Sequence, residues 1–357
     1  MARALKARWP DADLFGLGGD RMAAEGVRLI AHVEHLAVMG FAEVVTRLPY
    51  FARLLRRIRA SLASERPSLV LPIDYPGFNM RLARFARAAG IPVLYYIAPQ
   101  VWAWHRSRIH DLARCSDALA VILPFEEQIF RSAGARATFV GHPLLDRAPP
   151  EEDRATFVSR LGVNPDRRLL ALFPGSRAQE VERHGELFAR TARRLATLQP
   201  DVQAVVGAGA AVSEDALARL GLPVTHDGWA LLHHASAALV KSGTGTLESA
   251  LAGTPLVIAY RMHPLSFALA RRLVRVDHVG LVNLVAGERV APEFIQGDAT
   301  VDRLADALSS LLDPSRAERQ RALAGIGRVR QALRAPGDRP AAERVADLAE
   351  SLVTGST

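Results

Sequence analysis

Cysteine is almost absent from this 357-residue sequence: Cys115 stands alone, so no internal disulfide can form and nothing calls for an oxidising compartment. No acid–base cluster flanks Cys115, which therefore reads as a small buried side chain. No apolar run approaches the roughly 18 residues of a membrane-spanning helix, so the chain is not expected to cross a bilayer. Several catalytic signatures are also missing. There is no Walker A lysine loop, no G-x-S-x-G, no HExxH and no pair of acids at ligand spacing, while His233 and His234 are adjacent and cannot share a helix face. Neither a metal nor a cofactor is expected. GLGGDRM (16–22) is glycine-rich but lacks the G-x-G-x-x-G order of a dinucleotide loop. The opening MARALKARWPDAD has no apolar core or cleavage site, and Asp11 and Asp13 argue against a transit peptide, so the reading is cytoplasmic. No short repeat or low-complexity segment is present.

What is present is a globular composition, 49% hydrophobic and 23% charged, on a chain long enough for two ordinary domains. The net charge of +8 is nearly all arginine, spread along the chain. Clustered cations neutralise phosphates, but no RNA-binding signature or aromatic–basic interleaving accompanies them, so nucleic acid is not the expected partner. Membrane phosphates or an anionic substrate account for the excess equally well. In LPYFARLLRRIRASL (48–62), Leu48, Phe51, Leu54, Leu55, Ile58 and Leu62 fall on one helical face, while Arg53, Arg56, Arg57 and Arg59 lie mostly away from it. Such a helix can lie on an anionic bilayer, or it can pack its apolar face on its own domain.

Short β-rich runs alternate with longer helical stretches, the pattern of parallel α/β units. The spacing predicts strands at 13–17, 69–73, 93–97, 118–123 and 137–140, then a linker with adjacent prolines, then strands near 169–173, 202–206, 237–240 and 255–259. The domains are read as 1–145, a linker at 146–165, a second domain at 166–330 and a helical tail at 331–357. Two doubly wound halves place a ligand cleft at the carboxyl ends of their strands. The chain opens inside a helix, with no strand before it.

Two strand-to-helix turns in the second half have phosphate-binding chemistry. After the strand at 169–173 come Pro174, Gly175, Ser176 and Arg177, where glycine permits close backbone approach, serine adds a donor and arginine offers a charged fork. After the strand at 237–240 come Ser242, Gly243, Thr244, Gly245 and Thr246, with Glu248 in the next helical turn. Backbone N–H groups at a helix N-terminus suit an anion. The Glu248 carboxylate can accept ribose hydroxyls, or it can simply complement the helix dipole.

The first half carries other groups. Asp74 ends a strand in LVLPIDYPGFN (69–79), held between prolines, and can take a proton from an attacking hydroxyl or cap the following helix. PQVWAWHRSR (99–108) supplies Gln100, Trp102, Trp104 and His105; the tryptophans can hold a sugar or acyl surface or fill a core. His142 in VGHP is read as a structural hydrogen-bonding group.

Taken together, LAVMGFAEVV (36–45), IDYPGFN (73–79), PQVWAW (99–104), LPFE (123–126), VGHPLLD (140–146), FPGSRAQEV (173–181), SGTGTLE (242–248), AYRM (259–262) and GLVNLVAGERVAPEFIQ (280–296) resemble the lipid-A-disaccharide synthase family over nearly the whole chain. The resemblance implies an α/β GT-B glycosyltransferase of two Rossmann-like, doubly wound domains facing a cleft, without a catalytic metal. It implies an inverting transfer from UDP-2,3-diacylglucosamine to 2,3-diacylglucosamine 1-phosphate, giving a β-1,6 disaccharide and UDP, at the cytoplasmic face of the inner membrane. A homodimer is left open. By family position, the SGTGTLE segment holds UDP, Arg177 neutralises the leaving diphosphate, Asn283 lines the nucleotide pocket and Asp74 is the general base. Family members begin with an apolar strand and a G-E-[AT]-S-G-D loop that this sequence lacks. The expectation is a first domain missing its first strand, with Met1 an internal residue of a longer protein and little activity if the chain truly starts there. The alternatives are a UDP-sugar 2-epimerase or an inactive form that only binds UDP-sugar or membrane.

Overall fold

Parallel ladders organise the computed structural model, which describes residues 1–33, 41–101, 107–209, 211–263, 267 and 277–355, with backbone alone for 41–48 and 107. Residues 36–40 of the LAVMGFAEVV segment, Trp102, Trp104 and His105 lie outside the described residues. The chain divides into two units, Met1–Asp146 with Leu333–Thr357, and Arg147–Ala332.

In the first unit, α1 (Ala2–Arg8), β1 (Phe15–Gly18), α2 (Asp20–Ala24), β2 (Arg28–His32), α3 (Phe41–Glu65) and α4 (Pro76–Ala88) precede β3 (Leu94–Tyr96), α5 (Ser107–Cys115), β4 (Ala118–Val121), α6 (Pro124–Ser132) and β5 (Ala137–Phe139). β1 and β2 form one parallel pair, and β3, β4 and β5 form a parallel sheet in that order. The expected strand at 69–73 is not continuous. It runs beside β3 through bridges at Val70–Val93 and Ile73–Tyr96, because Pro72 accepts from the Tyr96 N–H but has no N–H of its own to donate. β2 was not anticipated, since its five residues are all at least partly exposed and show no clean alternation.

The final helix of the chain, Ala341–Thr354, belongs to this unit. Its Val345 and Ala349, with Leu5 and Trp9 from the N-terminal segment, pack on Leu94, Tyr96, Ala118 and Ala120 of the sheet. Arg8 pairs with Asp347 and Glu350, which ties the first helix to the last.

The second unit contains α7 (Arg154–Arg160), β6 (Arg168–Phe173), α8 (Ala178–Leu198), β7 (Val202–Gly207), α9 (Glu214–Ala218), β8 (Val224–Thr225), α10 (Gly228–His234), β9 (Ala237–Lys241), α11 (Gly245–Ala252), β10 (Leu256–Tyr260), α12 (Leu281–Ala286), β11 (Glu293–Ile295), α13 (Val301–Leu312) and α14 (Ala317–Ala332). The closing helix Ala341–Thr354 is then α15. All six strands are parallel, in the order β11–β10–β9–β6–β7–β8. β8 and β11 are too short, at two and three residues, to give a sequence signal. On α8, Val181, Phe188, Ala192 and Leu195 recur at helical spacing and are buried with Leu170, Leu172 and Leu239 from the strands and Leu304 and Leu308 from α13. Each fully buried leucine or phenylalanine contributes about 2 kcal/mol.

On α3, the described residues resolve the two readings of the amphipathic segment. Leu54, Ile58 and Leu62 are buried, Phe51 and Leu55 half-buried, and Arg53, Arg56 and Arg57 exposed. The apolar stripe is therefore packed within its own unit. Arg59 also departs from expectation: its guanidinium lies 4.9 Å over the Phe85 ring of α4 instead of facing water. No helix among the described residues is long and apolar enough to cross a membrane. Cys115 is buried.

Two measurements check this packing. Ile58→Ala should cost about 2–4 kcal/mol in denaturant unfolding, whereas Arg57→Ala should stay within about 0.5 kcal/mol. His142 is buried, accepts the Leu144 N–H at Nδ1 (3.3 Å), and has its pKa pushed down to about 4 by burial. The unfolded chain takes up that proton near the ordinary value of 6.5, so falling pH favours unfolding between 6.5 and about 4. Up to about 3 kcal/mol of stability should be lost across that window. His142→Asn should flatten this part of a stability–pH profile.

Candidate functional site

The strand order of the second unit reverses between β6 and β9: β7 and β8 lie to one side, β10 and β11 to the other. In an open parallel sheet, such a switch point leaves a crevice beyond the carboxyl ends of the two central strands. The turn after β6 is Pro174–Arg177 and the turn after β9 is Ser242–Thr244, so the topology sets the two glycine-containing turns side by side. Each turn leads directly into a helix. Arg177 is the N-cap of α8 and Thr244 the N-cap of α11, and neither helix start is closed by a side-chain capping bond. Uncapped N-terminal N–H groups carry partial positive charge and can bind an anion.

Backbone conformation explains the glycines. Gly175 sits at φ 145° and Gly243 at φ 146°, values that side chains disfavour. A Cβ on Gly175 would stand 2.3 Å from the Glu180 Cβ. Ser176 and Thr244 are exposed, and Gly245 is half-buried at the first position of α11. Arg177 is 72% exposed in its side chain, with Nη1 3.9 Å from Glu180 Oε1, so its guanidinium is available at the mouth of the turn.

Not every hydroxyl in SGTGT is available. Ser242 is buried and its hydroxyl donates to the Val279 carbonyl at 2.8 Å, while Thr246 is fully buried and donates to Gly243 O at 2.8 Å. These two side chains shape the turn, the Ser242 N–H donates to Ala259 O and the Thr246 N–H to Gly243 O, and the N–H groups of 243–245 with the Thr244 hydroxyl remain for a ligand. Glu248 is half-buried in the first turn of α11, makes no hydrogen bond among the described residues, and has its pKa raised by burial against a smaller opposing effect of Arg147.

Asn283 departs from the pocket-lining expectation. It is fully buried in α12, its amide hydrogens go to Ala291 O and Glu293 Oε1 (both 2.8 Å), and its oxygen accepts the Ala291 N–H. Neither amide hydrogen is left for a ligand. Its partner Glu293 was missed by sequence reasoning; it also accepts the N–H groups of Val279 (3.0 Å) and Gly280 (2.9 Å), and so fixes the loop that receives Ser242. An acid in a three-residue strand carries no local signal for this role.

In the first unit, Asp74 and the next residue, Tyr75, both have left-handed backbones, at φ 48° and 46°. Such strain costs about 1–3 kcal/mol per residue and persists only where surroundings enforce it. Here the Asp74 carbonyl accepts from Tyr95 Oη (2.7 Å) and Asn79 Nδ2 (2.8 Å), Asn79 also donates to Ile73 O, and the Asp74 N–H donates to Tyr96 O. Burial, with a smaller contribution from Asp74, pushes the Tyr95 hydroxyl well above its usual range, so it stays a donor. Tyr75 is the N-cap of α4, so Asp74 does not cap the helix. Its carboxylate is exposed and makes no hydrogen bond among the described residues. Gln100 is likewise exposed. Among the described residues, no group of three or more His, Cys, Asp or Glu is placed to hold a metal ion.

The lipid-A-disaccharide synthetase family profile matches residues 1–341. The lipid-A-disaccharide synthase of Geobacter sulfurreducens is 40% identical over 347 residues, covering 95% of this chain and 89% of that protein. That of Myxococcus xanthus is 37% identical over 354 residues, covering 97% and 91%. Among solved structures, the glycotransferase of kitacinnamycin aligns with a TM-score of 0.65 at 19% identity, covering 99% of this chain and 94% of that one. A putative UDP-N-acetylglucosamine 2-epimerase from Listeria monocytogenes aligns with a TM-score of 0.62 at 14% identity, covering 97% and 98%. At these identities the structural likeness establishes the α/β fold of GT-B type, and the epimerase relation goes no further than the fold. The profile match and the near full-length identity to curated synthases decide the family: the chain belongs to the lipid-A-disaccharide synthases, glycosyltransferases of lipid A biosynthesis.

Proposed function

We propose that this chain transfers 2,3-diacylglucosamine from UDP to the hydroxyl of 2,3-diacylglucosamine 1-phosphate, forming the β-1,6 disaccharide and releasing UDP. The observation that carries the reading is the pair of uncapped helix starts at the β6–β9 switch point, in a chain of this family. Diphosphate is the ligand such a pair favours, because charge that develops on the leaving group meets fixed N–H dipoles and the exposed Arg177 guanidinium. Glu248 accepts the ribose hydroxyls; it is half-buried with no hydrogen-bond partner among the described residues, and burial raises its pKa.

Asp74 takes the proton of the acceptor hydroxyl as the new oxygen–C1 bond forms, and the C1–oxygen electron pair departs with UDP. A base must be unblocked and fixed in place. The backbone bonds from Tyr95 and Asn79 supply the fixing, and the exposed carboxylate supplies the rest.

The chain attaches peripherally to the anionic cytoplasmic face of the inner membrane, where its acylated substrates reside. The outward arginines of α3, Arg53, Arg56 and Arg57, support this as an electrostatic contact, since the buried stripe beneath them is already occupied.

A transfer assay with labelled donor and lipid acceptor, run beside calorimetry with UDP, tests the assignment. Asp74→Asn should lower turnover by about a hundredfold or more while leaving UDP affinity unchanged. Arg177→Ala should weaken UDP binding and turnover together. A fully active Asp74→Asn removes Asp74 as the base, and formation of an epimer without acceptor would favour the epimerase.

A further inference from the structure

The two phosphate-facing turns are built on glycine, and although Ser242 and Thr246 shape the second, their bonds do not reach the first. What joins the two turns is α8. Glu180 Oε2 accepts the Ser176 N–H at 3.0 Å, and its Oε1 accepts from Lys241 Nζ at 2.9 Å. Lys241 is the last residue of β9, immediately before Ser242, and its ammonium also lies 5.6 Å over the ring of Tyr260 at the end of β10. One carboxylate thus touches the turn after β6 and the strand that launches the turn after β9, 61 residues further along the chain.

One helical turn on, His184 extends the connection. Its Nδ1 is 2.9 Å from the Glu180 carbonyl, which can only accept, so Nδ1 carries the proton and Nε2 accepts the Arg261 N–H at 3.0 Å. The ring stacks on Tyr260 with centroids 6.1 Å apart and planes at 21°. The Glu180 and Lys241 side chains are 18% and 19% exposed. Replacing an ion pair this enclosed with apolar side chains is often neutral or stabilising, so the pair is a weak device for stability alone. Burial opposes the charge on Glu180, but the Lys241 bond and charge and the Ser176 N–H outweigh it and hold its pKa below the usual value. Lys241 is also one of only two lysines in an arginine-rich sequence. A compact ammonium can sit against a carboxylate and a ring face where a planar guanidinium fork would need more room. Gly175 completes the fit, because a Cβ there would meet the Glu180 carboxylate at 2.8 Å.

We propose that Glu180 is a positioning residue of the nucleotide seat: its single carboxylate sets the Pro174–Arg177 and Ser242–Thr244 turns in one register, so that both present N–H groups to the same diphosphate. This role rests on the UDP reading above. Preorganised donors gain affinity because no ordering remains to be done on binding.

Three variants test it: Glu180→Gln, Glu180→Ala, and the exchange of Glu180→Lys with Lys241→Glu. UDP affinity by calorimetry, thermal stability, and amide hydrogen exchange of the unliganded protein are the readouts. Glu180→Gln keeps an acceptor for Ser176 and should bind UDP about tenfold more weakly, whereas Glu180→Ala should lose on the order of a hundredfold. Glu180→Ala should also speed exchange at 175–177 and 242–246 together. The exchanged pair should recover thermal stability but not UDP affinity, since lysine cannot accept the Ser176 N–H; a merely structural pair would recover both. Unchanged or tighter UDP binding in both single variants, with wild type binding UDP, overturns the proposal. If wild type fails to bind UDP while Glu180→Ala still loosens both turns at once, the nucleotide reading itself fails and takes the assigned role with it.

Discussion

Backbone N–H groups left open at two adjacent helix starts are the constraint around which the second unit is arranged. They exist because α8 and α11 begin directly beyond neighbouring parallel strands, without side-chain caps, where the strand order reverses. Leaving such groups unpaired is costly in a closed interior and useful at an open edge that meets an anion. The rest of the local chemistry protects that opening. Ser242 and Thr246 turn their hydroxyls inward, Glu293 and Asn283 brace the loop that Ser242 grips, and Glu180 fastens one turn to the strand behind the other.

The first unit shapes its turn at Asp74 by a different device. Instead of glycine, it forces two ordinary residues, Asp74 and Tyr75, into the left-handed region and holds them there with bonds to backbone carbonyls. The strain leaves the Asp74 carboxylate outside the helix-capping position it would otherwise fill. The proposed role of Asp74 as proton acceptor rests on that freedom.

Charge follows a similar division. Among the described residues, many arginines form surface ion pairs that contribute little individually. The exposed arginines of α3 remain as a basic face above an apolar stripe that is already packed. Among the described residues, Glu180 and Lys241 are largely enclosed charges with fixed partners, whereas Glu248 is half-buried with no hydrogen-bond partner.

Residue order alone determined the alternation of strands and helices, the turns at 174–177 and 242–246, the proline-bracketed Asp74 and the family, because glycine, proline and hydrophobic period act within a few residues of themselves. It left two readings of α3, Glu248 and Asp74, since amphipathicity and an acid near a helix start look the same whatever lies opposite. Tertiary structure decided that Leu54, Ile58 and Leu62 face inward, that Asp74 is not a cap, and that Ser242, Thr246 and Asn283 direct their polar groups into the fold. It alone brought Glu180 to Lys241 and Glu293 to Asn283. Hydrogen-bond partners of this kind are chosen by which strands become neighbours, and the order β11–β10–β9–β6–β7–β8 is a property of the whole sheet that no short stretch of sequence contains.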